Sequence, residues 1–107
     1  MGVLVVETYV VRAEKLDDYD PALSEFLDFK DHHPDLFAGL ISWHLWKQEY
    51  VVISDLYVEM WEYESLAEME RLSDRIFADE GMKKIGRNFH QLIEPASFSS
   101  AIWFPVV

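Results

Sequence analysis

The sequence contains no cysteine. That excludes disulfide scaffolds, thiolate metal sites and cysteine nucleophiles. It is also short of positive charge, with 9 basic residues against 20 acidic ones and a formal net charge of −11. A phosphate backbone is bound by clustered Lys and Arg, so no nucleic-acid partner is expected. The same imbalance disfavours anionic membrane surfaces. No apolar run approaches the ~20 residues of a transmembrane helix, so no membrane partner is expected either. The opening stretch MGVLVVETYV lacks the basic flank and cleavage pattern of a secretory signal. Gly2 is not followed by the Ser or Thr of a myristoylation signal. The expected location is therefore cytoplasmic. There is no Gly-rich phosphate loop, no dinucleotide fingerprint and no Ser-His-Asp order.

Hydrophobic residues are plentiful. They make up 50% of 107 residues, and 15% are aromatic. That suffices for one packed domain spanning residues 1–107 and argues against disorder. The acidic excess on such a domain favours solubility.

The densest signal runs from Val51 to Ile76. Its first half is rich in β-branched and aromatic residues, as in a long strand. Its second half places Leu66, Met69, Leu72 and Ile76 on a helical stripe. Ser65 and Glu68 have the spacing of a capping box at the junction. Before it, Val3 to Val11 forms a strand and Arg12 to Lys15 a turn. A helix then carries Leu16, Tyr19, Leu23, Phe26 and Leu27, with Asp17 or Asp20 as cap, Asp20 followed by Pro21 in the first helical position being the cleaner choice. The dipeptide His33-Pro34 ends it. A second strand covers Leu40 to Lys47, and Gln48-Glu49-Tyr50 turns into the third. Asp79-Glu80-Gly81 breaks the later helix. Met82, Ile85, Phe89 and Leu92 continue it, Pro95 stops it, and Ser97 to Phe104 forms the last strand.

The order β-α-β-β-α-β predicts an α+β, ferredoxin-like fold: a four-stranded antiparallel sheet with the helices on one face. Both parities of the first strand are apolar, Leu4, Val6 and Val10 on one and Val3, Val5 and Tyr9 on the other. The third strand repeats this, with Val52, Leu56, Val58 and Met60 on one parity and Ile53, Tyr57 and Trp61 on the other. A sheet apolar on both faces needs a second cover. The expected partner is a second copy, giving a homodimer packed through its sheet faces.

YVVRAEKLDDY (Tyr9 to Tyr19) and MWEYESLAEME (Met60 to Glu70) resemble the strand-turn-helix segments of NIPSNAP-type and antibiotic-biosynthesis-monooxygenase-like proteins. These belong to the dimeric α+β barrel superfamily. The resemblance implies a small hydrophobic or aromatic ligand between sheet and helices, and an activity such as cofactor-independent monooxygenation or isomerisation. No cofactor is expected. Haem-degrading members carry an Asn on the first strand, a Trp at the end of the third and a His on the second helix. Trp61 matches the Trp. Glu7 falls at the Asn position and Gly86 near the His position, with His90 a turn later, so two of the three positions depart.

Strand alternation puts Glu7 and Tyr9 on one face, and Asp55, Tyr57, Glu59 and Trp61 on one face. By the resemblance, the Trp61 face looks toward the helices. Ser42, His44 and Trp46 share a face whose side depends on the turn register. If they converge, Glu7, His44 and Glu59 are the candidate catalytic groups, and Tyr9, Trp46, Tyr57, Trp61 and His90 the ligand walls. Carboxylates walled by aromatic rings have raised pKa values and suit proton abstraction. The plainer alternatives are solvated strand-edge carboxylates, structural tryptophans and a hydrogen-bonded histidine. A metal set of Glu7, His44, Glu59 and His90 is conceivable, but no local spacing supports it and no metal is expected. His32-His33 suits a helix end. An assembly module using the apolar tail Ala101 to Val107 is the non-catalytic alternative.

Overall fold

A computed structural model describes residues 2–49 and 55–107. Strand β1 is Val3–Val10. A short 3-10 turn at Ala13–Lys15 leads into helix α1, Leu16–His32. Strands β2, Ser42–Lys47, and β3, Leu56–Tyr63, follow. Helices α2, Leu66–Ala78, and α3, Glu80–His90, come next. A 3-10 turn at Pro95–Ser97 precedes strand β4, Ser99–Trp103. The sheet order is β2-β3-β1-β4 and every neighbouring pair is antiparallel. This is the split βαβ arrangement expected from the sequence.

The main core joins Val3, Trp61 and Tyr63 from the sheet to Phe26 of α1, Leu72 and Ile76 of α2, and Met82 and Ile85 of α3. All three helices therefore cover the parity that holds Val3, Glu7 and Trp61. The opposite parity carries Leu4, Val6 and Val10 of β1 and Leu56, Val58 and Met60 of β3, all only half-buried. The Val52 and Ile53 parities and the Tyr50 end of the β2–β3 turn lie outside the described residues.

Helix α1 begins at Leu16 rather than at Pro21, and Asp20 is not its cap. The Arg12–Lys15 turn, closed by Lys15 N–H donating to the Arg12 carbonyl at 2.9 Å, delivers the chain already wound. Burial of Tyr19 holds that first stretch down, offsetting the backbone donor that Pro21 lacks inside the helix. At α2 the Ser65 hydroxyl accepts the Glu68 N–H at 3.2 Å. The return half of the capping box is not made. The Glu68 carboxylate instead takes Arg71 Nη2 at 2.6 Å, and that cation holds its pKa below the usual range.

Asp79 ends α2 and caps α3 by itself, its Oδ1 accepting the Met82 N–H at 3.0 Å. In the loop before β2, Gly39 adopts φ +102°, the left-handed region natural only to glycine. Arg75 ties that loop to α2 by donating to the Leu36 and Ala38 carbonyls at 3.1 and 2.5 Å. His32 and His33 each place Nδ1 on a carbonyl of the last helical turn, at 2.6 and 2.7 Å.

Candidate functional site

Glu7 and Glu59 stand directly opposite each other on adjacent strands β1 and β3. Both face the helices, because Tyr9 and Trp61, two residues further along, do. A cavity of about 120 Å³ opens above them, between the sheet and helices α1 and α3. Tyr9, Tyr19, Phe26, Trp43, Trp61 and Phe89 wall it with rings, and Phe77 and Phe98 complete the wall. A void of that size holds about one aromatic ring; a cavity of ~150 Å³ takes a benzene.

The rings are locked against one another. Phe26 lies 5.4 Å from Trp43 and 5.9 Å from Trp61, centroid to centroid. Phe89 meets Tyr9 edge-on at 5.1 Å. The Tyr9 and Tyr19 hydroxyls share a buried hydrogen bond of 2.8 Å. Burial, aided by the nearby Glu59 charge, pushes both phenols above their ordinary range, so they stay neutral.

Burial also dominates the carboxyls. It raises Glu7 from 4.5 to about 7, with the Glu59 charge adding to the rise. Glu59 is raised too, chiefly by burial, although Trp43 Nε1 donates to its Oε1 at 3.0 Å and favours the anion. The Trp61 indole lies near enough to favour the charged form of both acids. It reaches neither within hydrogen-bonding geometry, and its Nε1 is buried with no acceptor. The cavity contains no Lys or Arg among its lining residues. Burial therefore favours the neutral form of both acids, and no positive partner opposes it.

Of the residues singled out from the sequence, Glu7, Tyr9, Glu59, Trp61 and His90 line this cavity. His44 and Trp46 do not. The β2–β3 register pairs His44 with Met60 and Trp46 with Val58, which puts both on the face away from the helices. Tyr57 packs on the helix side but behind the cavity wall, 4.5 Å from Tyr19 and 5.9 Å from Tyr9. Asp55 is not on a strand face. It precedes β3 with φ 62°, and its carboxylate lies 3.8 Å from Lys47 Nζ.

The sheet itself separates His44 from Glu7, Glu59 and His90, so the four-residue metal set cannot form. Among the described residues no three His, Asp or Glu side chains are grouped to hold a metal. Tyr19, Leu23 and Phe26 were visible as the apolar stripe of α1, and Met82, Ile85 and Phe89 as that of α3, but a stripe looks the same whether it lines a core or a cavity. Trp43 needed the register, which sets it beside Trp61.

No family model and no curated protein matches the chain. Solved structures do. A NIPSNAP family protein from Agrobacterium tumefaciens superposes with a TM-score of 0.74 at 20% identity, over 98% of this chain and 86% of its own. An uncharacterized NIPSNAP domain protein from Burkholderia xenovorans gives 0.71 at 18%, over 97% and 94%. SnoaB, a cofactor-independent oxygenase from Streptomyces nogalater, gives 0.69 at 12%, over 99% and 94%. The chain has the α+β, ferredoxin-like fold shared by the NIPSNAP and antibiotic-biosynthesis-monooxygenase-like proteins.

Proposed function

We propose that the chain binds a hydrophobic or aromatic small molecule in the Glu7–Glu59 cavity and uses the acid pair as a general base on it. The observation that carries this is the pairing of two half-buried carboxyls, one with its pKa pushed up to about 7, inside an aromatic cavity. A base poised near the working pH balances availability against strength. Removing a proton from an activated C–H leaves a carbanion. Reprotonation elsewhere would be isomerisation, and electron transfer from the carbanion to dioxygen would begin a cofactor-independent oxygenation. The oxygenase named among the structural neighbours shares the fold in which such a site would sit.

Exchange of the benzylic protons of phenylacetone in D2O, followed by NMR, tests the base. The expected rate rises as pH passes through 7 and is lost in E7Q. Exchange no faster than in buffer alone defeats the proposal. The cavity itself is tested with G86L. Gly86 lines it, and a Cβ there would meet no atom within 4 Å, so a leucine side chain has the cavity to fill. Saturable quenching of tryptophan fluorescence by phenol is expected in the native chain and not in G86L.

The outer sheet face is proposed to be covered by a second copy. Leu4, Val6, Val58 and Met60 are only half-buried there, Trp46 and Trp103 are 60% exposed, and Glu62 is already engaged by Ser42 at 2.7 Å. Such a continuous apolar sheet face is unusual for a lone domain. Sedimentation velocity should give twice the chain mass, falling to the single-chain mass in M60K. A native chain that sediments as a monomer ends this proposal.

A further inference from the structure

We infer that the molecule taken by the cavity is a cationic amine carrying one aromatic or apolar group. This names the ligand class of the site just proposed and rests on that reading. Three observations describe what the cavity lacks. Two carboxyls face one cavity with no Lys or Arg beside them. The Trp61 indole N–H is buried there, in a residue only 5% exposed, with no acceptor. The surrounding surface is ring upon ring, and Trp and Tyr faces attract cations through their quadrupoles.

An ammonium group between the acids supplies what the carboxyls and the rings lack. It replaces the Glu7 proton as the positive partner and favours the carboxylate form of both acids. It accepts nothing from the Trp61 indole N–H, but by holding the acids as carboxylates it makes them stronger acceptors close to that donor. A neutral phenol or ketone supplies no positive charge to the acids or to the rings. The net charge of −11 draws cations toward the mouth and repels anions.

Binding of such a ligand must release protons. The titratable groups that share the site are Tyr9 on β1, Tyr63 on β3, Tyr19 on α1 and His90 on α3, while α2 presents only Phe77 to the cavity. All three tyrosines are held above their ordinary range by burial, so they do not supply those protons. That leaves the two acids and His90, and the variants E7Q and E59Q separate the carboxyls, to which we assign the release, from the imidazole.

Isothermal titration of the full chain with benzylamine and with benzyl alcohol tests this, since the two differ in charge and hardly in shape. At pH 8 benzylamine is expected to bind at least tenfold more tightly. At pH 6, where Glu7 still holds its proton, its heat should vary with the ionisation enthalpy of the buffer, reporting a released proton. Its affinity should climb by about tenfold per pH unit between pH 6 and 7, as one released proton requires. E7Q and E59Q should each abolish the preference. If a Gln variant does not fold, the buffer series on the native chain decides alone. Equal or tighter binding of the alcohol overturns the amine inference and leaves the aromatic site standing. A preference unchanged in both variants overturns it as well. If neither molecule binds, the inference and the cavity reading fall together.

Discussion

The Glu7 carboxyl makes the stability of the fold depend on pH in a direction opposite to ordinary acid denaturation. Unfolded, this group loses its proton near 4.5; folded, it keeps the proton until about 7. Between those values the folded chain binds a proton that the unfolded chain does not, so stability falls as pH rises. The contribution is complete below 4.5 and gone once pH has passed well above 7. At about 1.4 kcal/mol per pH unit, the rise corresponds to about 3 kcal/mol. Glu59 shifts in the same direction and adds to the loss. Against a typical domain stability of ~5–15 kcal/mol, this is a large fraction.

Urea unfolding at fixed protein concentration, from pH 4.5 to 8, measures it directly. Charge repulsion in so acidic a chain also grows with pH, so the difference between the native chain and E7Q isolates the site. E70Q, at an exposed position of α2, controls for the loss of one charge. E7Q is expected to match the native chain at the acid end and to exceed it by about 2–3 kcal/mol at pH 8. If the native, E7Q and E70Q curves run parallel across this window, the burial argument for the acid pair is wrong.

Three further changes probe the framework around the cavity. Y19F removes one partner of the buried Tyr9–Tyr19 hydrogen bond and should cost about 1–3 kcal/mol in urea unfolding, because the Tyr9 hydroxyl is left without its partner. G39A forces a side chain into φ +102° and brings its Cβ to 3.2 Å from Leu72; calorimetry should show a lower Tm, by a loss of about 1–3 kcal/mol. S65A deletes the acceptor for the Glu68 N–H and should destabilise by about 1 kcal/mol, with no change in ligand affinity.

The element order was legible because strand and helix periodicities are local. So was the shared parity of Glu7 with Tyr9 and of Glu59 with Trp61, since alternation along a strand needs no knowledge of its neighbour; that the Trp61 face meets the helices is what the family resemblance implies. What failed depended on relations between segments. The face of His44 and Trp46 stays open in the sequence, because it depends on a β2–β3 register that Gln48-Glu49-Tyr50 does not encode through any Gly or Asn turn. Asp55 was counted into a strand because nothing local announces its φ of 62°. The start of α1 was misplaced because Pro21 is a strong helix-start signal, and here the buried Tyr19 overrides it. Cavity walls and core looked alike, because vacancy belongs to the assembled fold and not to a residue.

Helices α2 and α3 meet at one residue, Asp79, with no loop between them. A joint of that length has no slack. Inserting even one amino acid would turn every following side chain of α3 by about 100°, carrying Met82, Ile85 and Phe89 away from the cavity they line. The shape of that wall can therefore be altered by exchanging side chains on a fixed frame, and not by lengthening this joint.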